Sequence, residues 1–326
     1  MTLLARAPVA GLAMDRLAMD AVRATEAAAI AAASWAGRGD KNSADAAAVE
    51  AMRGVLAEIP LRGTVVIGEG EKDDAPMLRD GEQVGSGQGP EVDVAVDPVD
   101  GTTLTAKGMA NALSVLALTP RGAMRVPTGV FYLDKLACGP AGHGVVDLRQ
   151  SPAENVRALA AATGRSPADL GVALLDRPRH DRLAEQLREV GARVHFFSDG
   201  DVAAAVLAAR EGTDVDLLLG VGGTPEGVIT ACAVASLGGV FQGRLAPRSP
   251  REELAAAAWG LPSDHVLGVD DLIVGGHCAF VATGITGGSL LPGVRPVGDR
   301  VRTTSLVLTS HGGAVRQVTG EHRLVP

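Results

Sequence analysis

The chain has 326 residues, with 38 acidic against 30 basic side chains for a formal charge of −8, 46% hydrophobic residues, 42 glycines, two Trp, one Tyr and five Phe. That is chain enough for one large domain or two ordinary ones with a sizeable core, and the acidic balance without a Lys/Arg run or stacking platform excludes nucleic acid and acidic membranes as partners. The apolar stretch from Ala27 to Ala36 is too short to span a bilayer, Met1 to Asp20 lacks the apolar core of a signal peptide, and Cys138, Cys232 and Cys278 are too few and too distant for a disulfide framework or zinc site. A reducing cytoplasm is therefore expected, with small molecules or metal ions as partners.

Apolar residues at Leu17, Ala21, Ala24, Ala28, Ala31 and Trp35 recur in alternating steps of four and three and predict a helix over 14–35, ended by Gly37 and Gly39. The turn Gly37-Arg38-Gly39-Asp40-Lys41 follows, and by itself its Asp40 reads as solvent-facing. A second helix is predicted over 45–58, with Ser43 and Asp45 as available caps and Pro60 closing it. Strands are predicted at 64–67 and 92–96, each feeding into acidic residues, and a buried strand at 112–118. Beyond residue 145, strands at 172–175, 194–197 and 216–219 alternate with helices at 181–190, 202–210 and 227–237. That alternation argues parallel α/β architecture with ligands at the carboxyl ends of strands. The tail over 301–318 alternates about His311-Gly312-Gly313 and predicts a hairpin. Two lobes, 1–145 and 146–326, are expected to pack as one unit.

The most informative segment is Asp93-Val94-Ala95-Val96-Asp97-Pro98-Val99-Asp100-Gly101-Thr102-Thr103. Pro98 suits the second position of a turn, so Asp97 and Asp100 should bracket a turn at a strand end, with the amides of Gly101 and Thr102 beside them. Two carboxylates next to an anion site call for hard cations between them, and Mg²⁺ or Mn²⁺ fits oxygen ligands. The alternative is a solvated acidic turn that caps a helix through Asp100. Ile67-Gly68-Glu69-Gly70-Glu71 is a second acidic turn after a strand of the same lobe. Gly222-Gly223-Thr224-Pro225-Glu226-Gly227 lacks the lysine of a P-loop and the last glycine of a dinucleotide fingerprint. Its Glu226 either faces a metal cluster or is a favourable charge at a helix start. Arg177-Pro178-Arg179-His180 can clamp a phosphate, and Asp199-Gly200-Asp201 can accept sugar hydroxyls. A basic turn paired to Asp176 or Asp181 is the plainer reading of the arginines. His180 reads as a capping or packing residue, and the cysteines as small buried hydrophobes.

Together these segments resemble the class II (GlpX-type) fructose-1,6-bisphosphatases of the lithium-sensitive, metal-dependent phosphatase superfamily. Asp97-Pro98-x-Asp100-Gly101-Thr102 marks the superfamily; Gly37 to Asn42 and Arg177 to His180 point to the class, joined by Ala75 to Leu78 and Ala110 to Leu113. The resemblance implies a layered α-β-α-β-α sandwich and hydrolysis of the 1-phosphate of fructose 1,6-bisphosphate, a gluconeogenic step. It implies Asp40, Glu69, Asp97, Asp100 and Glu226 as ligands of Mg²⁺ or Mn²⁺, most of them in the first lobe. Thr102 and Glu69 would be catalytic. Asp100, Gly101, Thr102, Tyr132, Arg177, Pro178, Arg179, Asp199, Gly200, Asp201 and Gly223 would line the substrate site. One departure is Asp100, which stands where some class members carry Glu. Sedoheptulose-1,7-bisphosphatase or dual activity, an inositol-monophosphatase-like enzyme and a non-catalytic sensor of metal and sugar phosphate are the alternatives. A cytoplasmic homo-oligomer, dimer or tetramer, is expected.

Overall fold

The computed structural model describes residues 9–68, 78–262 and 264–323. The chain begins with α1 (Val9–Ala33), α2 (Lys41–Leu56), β1 (Arg62–Ile67), β2 (Gln83–Val84), β3 (Glu91–Asp100), α3 (Thr102–Lys107) and β4 (Leu113–Pro120). It continues through β5 (Tyr132–Cys138), α4 (Pro152–Ala162), β6 (Gly171–Leu175), α5 (Asp181–Glu189), β7 (Arg193–Phe197), α6 (Val202–Ala209), β8 (Leu217–Gly223), α7 (Thr224–Ser236), β9 (Val240–Leu245), α8 (Pro250–Ala258) and β10 (Leu267–Gly268). It ends with β11 (Ala279–Gly284), β12 (Arg295–Val297), β13 (Arg300–Thr309) and β14 (Ala314–Arg323). The chain divides into two compact units, Met1–Met124 with Gly275–Pro326, and Arg125–Val274.

In the first unit the strand order is β12-β13-β11-β4-β3-β1-β2, with β14 added against β13. Only β1 and β3 run parallel; the other pairs are antiparallel. The small residues Ala18, Ala21, Ala24 and Ala28 let α1 lie close, and with Met52 and Leu56 of α2 they bury Val94, Val96, Leu116, Leu118 and Val281 in one core. Each fully buried Val or Leu contributes about 1.5–3 kcal/mol, so the alternation of β3 and β4 fixes which side chains turn away from this core.

In the second unit the order is β10-β9-β5-β8-β6-β7. β6 is parallel to β7 and β8, as the strand-helix alternation predicts, whereas β5 is antiparallel to both β8 and β9. Leu136, Val156, Leu159, Val172, Leu174, Leu187, Leu217 and Leu219 form its core.

The α/β class is therefore as expected, and the hairpin of the tail is present as β13 and β14. The division along the chain differs from the expected boundary at residue 145: β5 already belongs to the second unit, and residues from 275 onward return to the first. The reason is pairing: β11 hydrogen-bonds to β4 on one side and β13 on the other, covering what would otherwise be an open sheet edge. Cys138, Cys232 and Cys278 are buried, as expected of small apolar side chains. Among the described residues no helix is long and apolar enough to cross a membrane.

Candidate active site

In the first unit Asp97 and Asp100 are set by a β-bulge rather than by the expected turn. β3 continues to Asp100, but Asp97 pairs with Val115 and Asp100 with Leu113, so three steps along β3 match two along β4. In an unbroken strand residues three apart point to opposite faces. The one extra residue at the bulge, where Pro98 has no N–H to give the ladder, brings both aspartates to the same face. That face is the one turned away from Val94 and Val96 and hence from α1 and α2. Asp97 Oδ1 accepts the Val99 N–H at 3.1 Å, which holds the bulge, and Asp100 is 3% exposed. Gly101 then takes φ +91°, where a Cβ would also lie 2.8 Å from Leu104 Cδ1, and turns the chain into α3. Gly101, not Asp100, is the N-cap, and half-buried Thr102 is the first helical residue.

The preceding glycine turn is fastened to the same helix: the Gly37 and Gly39 N–H groups donate to the carbonyls of Thr105 and Ala106 at 2.9 and 2.8 Å. Asp40 is the N-cap of α2 in place of Ser43 or Asp45, its Oδ1 accepting the Ser43 N–H at 3.0 Å and its Oδ2 the Ser43 hydroxyl at 2.6 Å. These bonds from Ser43 hold the exposed Asp40 carboxyl below the usual carboxylate range. Its capping contribution is therefore complete above the ordinary carboxylate pKa and is lost as pH falls through the lowered one. Asp40→Ala should lower the melting temperature while Asp40→Ser, which can still cap, keeps it, as thermal melts will read. Asp93, at the start of the motif, takes a structural part: it accepts from Arg121 Nη1 at 2.6 Å and the Met124 N–H at 3.1 Å. Asn111 likewise fastens a loop, accepting the Ser289 N–H at 2.8 Å. Glu69, Glu71 and Ala75 to Met77 lie outside the described residues.

In the second unit several of the candidate residues lie on or beside β5 and β8. Tyr132 opens the strand opposite Gly223 of β8. Three residues on, Lys135 is fully buried, a placement that the sequence does not suggest, and its Nζ donates to Asp201 Oδ2 at 2.5 Å. Glycines make the room: Lys135 pairs with Gly220 and Gly243 on the flanking strands, and a Cβ at Gly222 would collide with Asp201 Oδ2. A Cβ at Gly223 would collide with Glu226 Oε2. Glu226 stands in the first turn of α7, as expected. Burial pushes its carboxyl pKa up, Lys135 pulls it down and Asp201 adds to the rise. Among the described residues, the buried oxygens Glu226 Oε2 and Asp201 Oδ1 have no hydrogen-bond partner.

Arg177 donates to Asp199 Oδ1 at 2.9 Å and to the Ser198 carbonyl at 2.5 Å. Its carboxylate partner is thus the next strand's loop, not Asp176 or Asp181. Arg179 donates through Nε and Nη2 to the Val221 carbonyl at 3.1 and 2.6 Å, and it has no carboxylate partner among the described residues. His180 is a strut: its Nε2 accepts the Val221 N–H and its Nδ1 donates to the Leu175 carbonyl, both at 2.8 Å. Burial pushes its pKa below the ordinary value, in keeping with a neutral packing role. Arg248 faces the ring of Tyr132 and was not singled out by the sequence.

No three His, Cys, Asp or Glu side chains form a metal cage among the described residues. The donor chemistry nevertheless fits a hard cation. The first unit presents two aspartates on one face, and in the second a single lysine stands against two carboxylates with buried, unpartnered oxygens.

The family profile described as bacterial fructose-1,6-bisphosphatase, glpX-encoded, matches residues 15–322. The chain is 42% identical over 322 residues to fructose-1,6-bisphosphatase 1 class 2 of Escherichia coli K12, covering 94% of this chain and 95% of that one. The fructose-1,6-bisphosphatase class 2 proteins of Escherichia coli O6:H1 and Shigella flexneri match with the same identity and coverage. A match that spans nearly the whole chain at this identity places the protein in the glpX-type bacterial fructose-1,6-bisphosphatase family.

Proposed function

We propose that the protein hydrolyses the 1-phosphate of fructose 1,6-bisphosphate to fructose 6-phosphate and phosphate, with Mg²⁺ or Mn²⁺ held by Asp97, Asp100, Glu69, Asp40 and Glu226. The observation that carries the reading is the β3 bulge, which turns Asp97 and Asp100 to one face directly before Gly101 and Thr102. When bound, divalent cations neutralise phosphoryl oxygens and lower the pKa of water. Thr102 orients the attacking water and takes its proton while passing its own hydroxyl hydrogen to a carboxylate, the catalytic part proposed for Glu69. The water oxygen bonds to phosphorus as the bond to the sugar oxygen breaks in line, and the leaving alkoxide takes a proton from solvent.

In the second unit Arg179 receives the non-reacting phosphate, while Arg177 sets Asp199 and Lys135 sets Asp201 to take sugar hydroxyls, alongside Tyr132, Pro178, Gly200 and Gly223. The same resemblance carries a cytoplasmic location and a homo-oligomeric state. A charge-assisted contact from Arg179 is worth about 1.5–3 kcal/mol. Arg179→Ala should therefore lower kcat/KM for the bisphosphate by roughly ten- to a hundredfold, and the preference for bisphosphate over monophosphate should collapse. Phosphate release measured across a panel of sugar phosphates reads both. A variant that keeps its preference places the second phosphate elsewhere, and a wild type that prefers inositol monophosphate overturns the substrate.

A further inference from the structure

Two arginines of the second unit lie against one exposed aromatic ring, with a third near enough to one of them for their charges to interact. Tyr132, at the start of β5, is 37% exposed. The guanidinium carbon of Arg179 lies 5.7 Å from its ring centroid and that of Arg248, in the loop between β9 and α8, lies 5.2 Å from it. Arg177 stands close enough to add to the repulsion that Arg179 feels from Arg248. The three differ in what their donors already do. Arg177 is committed, to Asp199 and to the carbonyls of Asp176 and Ser198. Arg179 gives one edge of its fork to Val221 and keeps the other. Arg248 is exposed and makes no hydrogen bond or ion pair with any described residue, so all five of its N–H donors are open.

Like charges held against one ring by stacking repel each other unless an anion joins them. A carboxylate would be the ordinary remedy, and among the described residues neither Arg179 nor Arg248 has one. A phosphate dianion, with three terminal oxygens, can accept from two guanidinium forks at once. We infer that Arg248, rather than Arg177, is the partner of Arg179 in receiving the non-reacting phosphate of the substrate, with Tyr132 as the platform that sets both guanidiniums. The inference rests on the bisphosphatase reading and names a specificity-determining residue that the motifs do not contain. Arg177 then acts indirectly, by holding Asp199.

The test compares Arg248→Ala, Arg248→Lys and Arg177→Ala with wild type, each checked by thermal melting. In Arg248→Ala, KM for fructose 1,6-bisphosphate should rise about tenfold with kcat within about twofold, because the contact is made equally in ground and transition states. Arg248→Lys should recover only part of the loss, since an ammonium replaces a planar fork. Kd for fructose 6-phosphate, which keeps the same phosphate, should rise by the same factor in calorimetry, and by less in Arg177→Ala. An Arg248→Ala protein whose KM and Kd both stay within about twofold of wild type overturns the inference. The two failures are separable: calorimetry reads the clamp without turnover, so an inactive wild type sinks the functional reading whereas an unchanged Kd sinks the clamp.

Discussion

Thr102→Ala should lower kcat by about 10²–10⁴ with KM little changed, and Thr102→Ser should keep much of the rate. The size follows from the step that the proposed mechanism would lose: without the hydroxyl the attacking water would be neither oriented nor deprotonated, while the other groups proposed to hold the substrate are untouched. The structure makes the experiment clean. Gly101 caps α3, and the Thr102 hydroxyl makes no hydrogen bond with any described residue, so alanine at this position removes no hydrogen bond of the hydroxyl to them. Melting temperatures of the two variants should match wild type. A melting shift with near-normal kcat would instead make Thr102 a structural residue.

Lys135→Met should destabilise the second unit by about 3–5 kcal/mol, the cost of removing one partner from a buried pair and leaving the other charged and unpaired. The lysine is fully buried and Asp201 is 5% exposed, so neither charge can turn to water. Adding Asp201→Leu to Lys135→Met should recover much of that stability, because a buried pair replaced by apolar side chains of similar size is often neutral. Differential scanning calorimetry of the single and double variants reads the cycle. Equal losses in both would mean that packing of the lysine stem, not the charge pair, supports the site.

The sequence made the candidate residues of the first unit legible, but not the means that brings Asp97 and Asp100 to one face. Asp97 and Asp100 stand out as an acidic pair around Pro98, yet their common face depends on one extra residue against β4. Strand periodicity cannot show an insertion without its partner's register; the trace it leaves is a proline where a ladder donor is due. Asp40 was visible as a charged turn, and its role as a cap depends on α2 starting earlier than the spacing of its apolar residues suggests. Lys135 was hidden for a different reason. A lysine in a strand ordinarily reaches water, and what reverses this is glycine at 220, 222 and 243 on neighbouring strands, far away along the chain. Arg248 was hidden because an isolated loop arginine has no signature until Tyr132 is placed beneath it. The return of β11 and β13 to the first sheet is likewise a matter of pairing between distant segments, which local patterns do not carry.

The central claim, a bisphosphatase that works through cations held by clustered carboxylates, is tested most directly by phosphate release from fructose 1,6-bisphosphate by the purified protein. The measurement compares Mg²⁺, Mn²⁺, excess chelator and chelator followed by restored metal. The expected result is turnover with either or both cations, none in chelator, and recovery when metal is returned. Full turnover in excess chelator, or no release from fructose 1,6-bisphosphate with either cation, would contradict it.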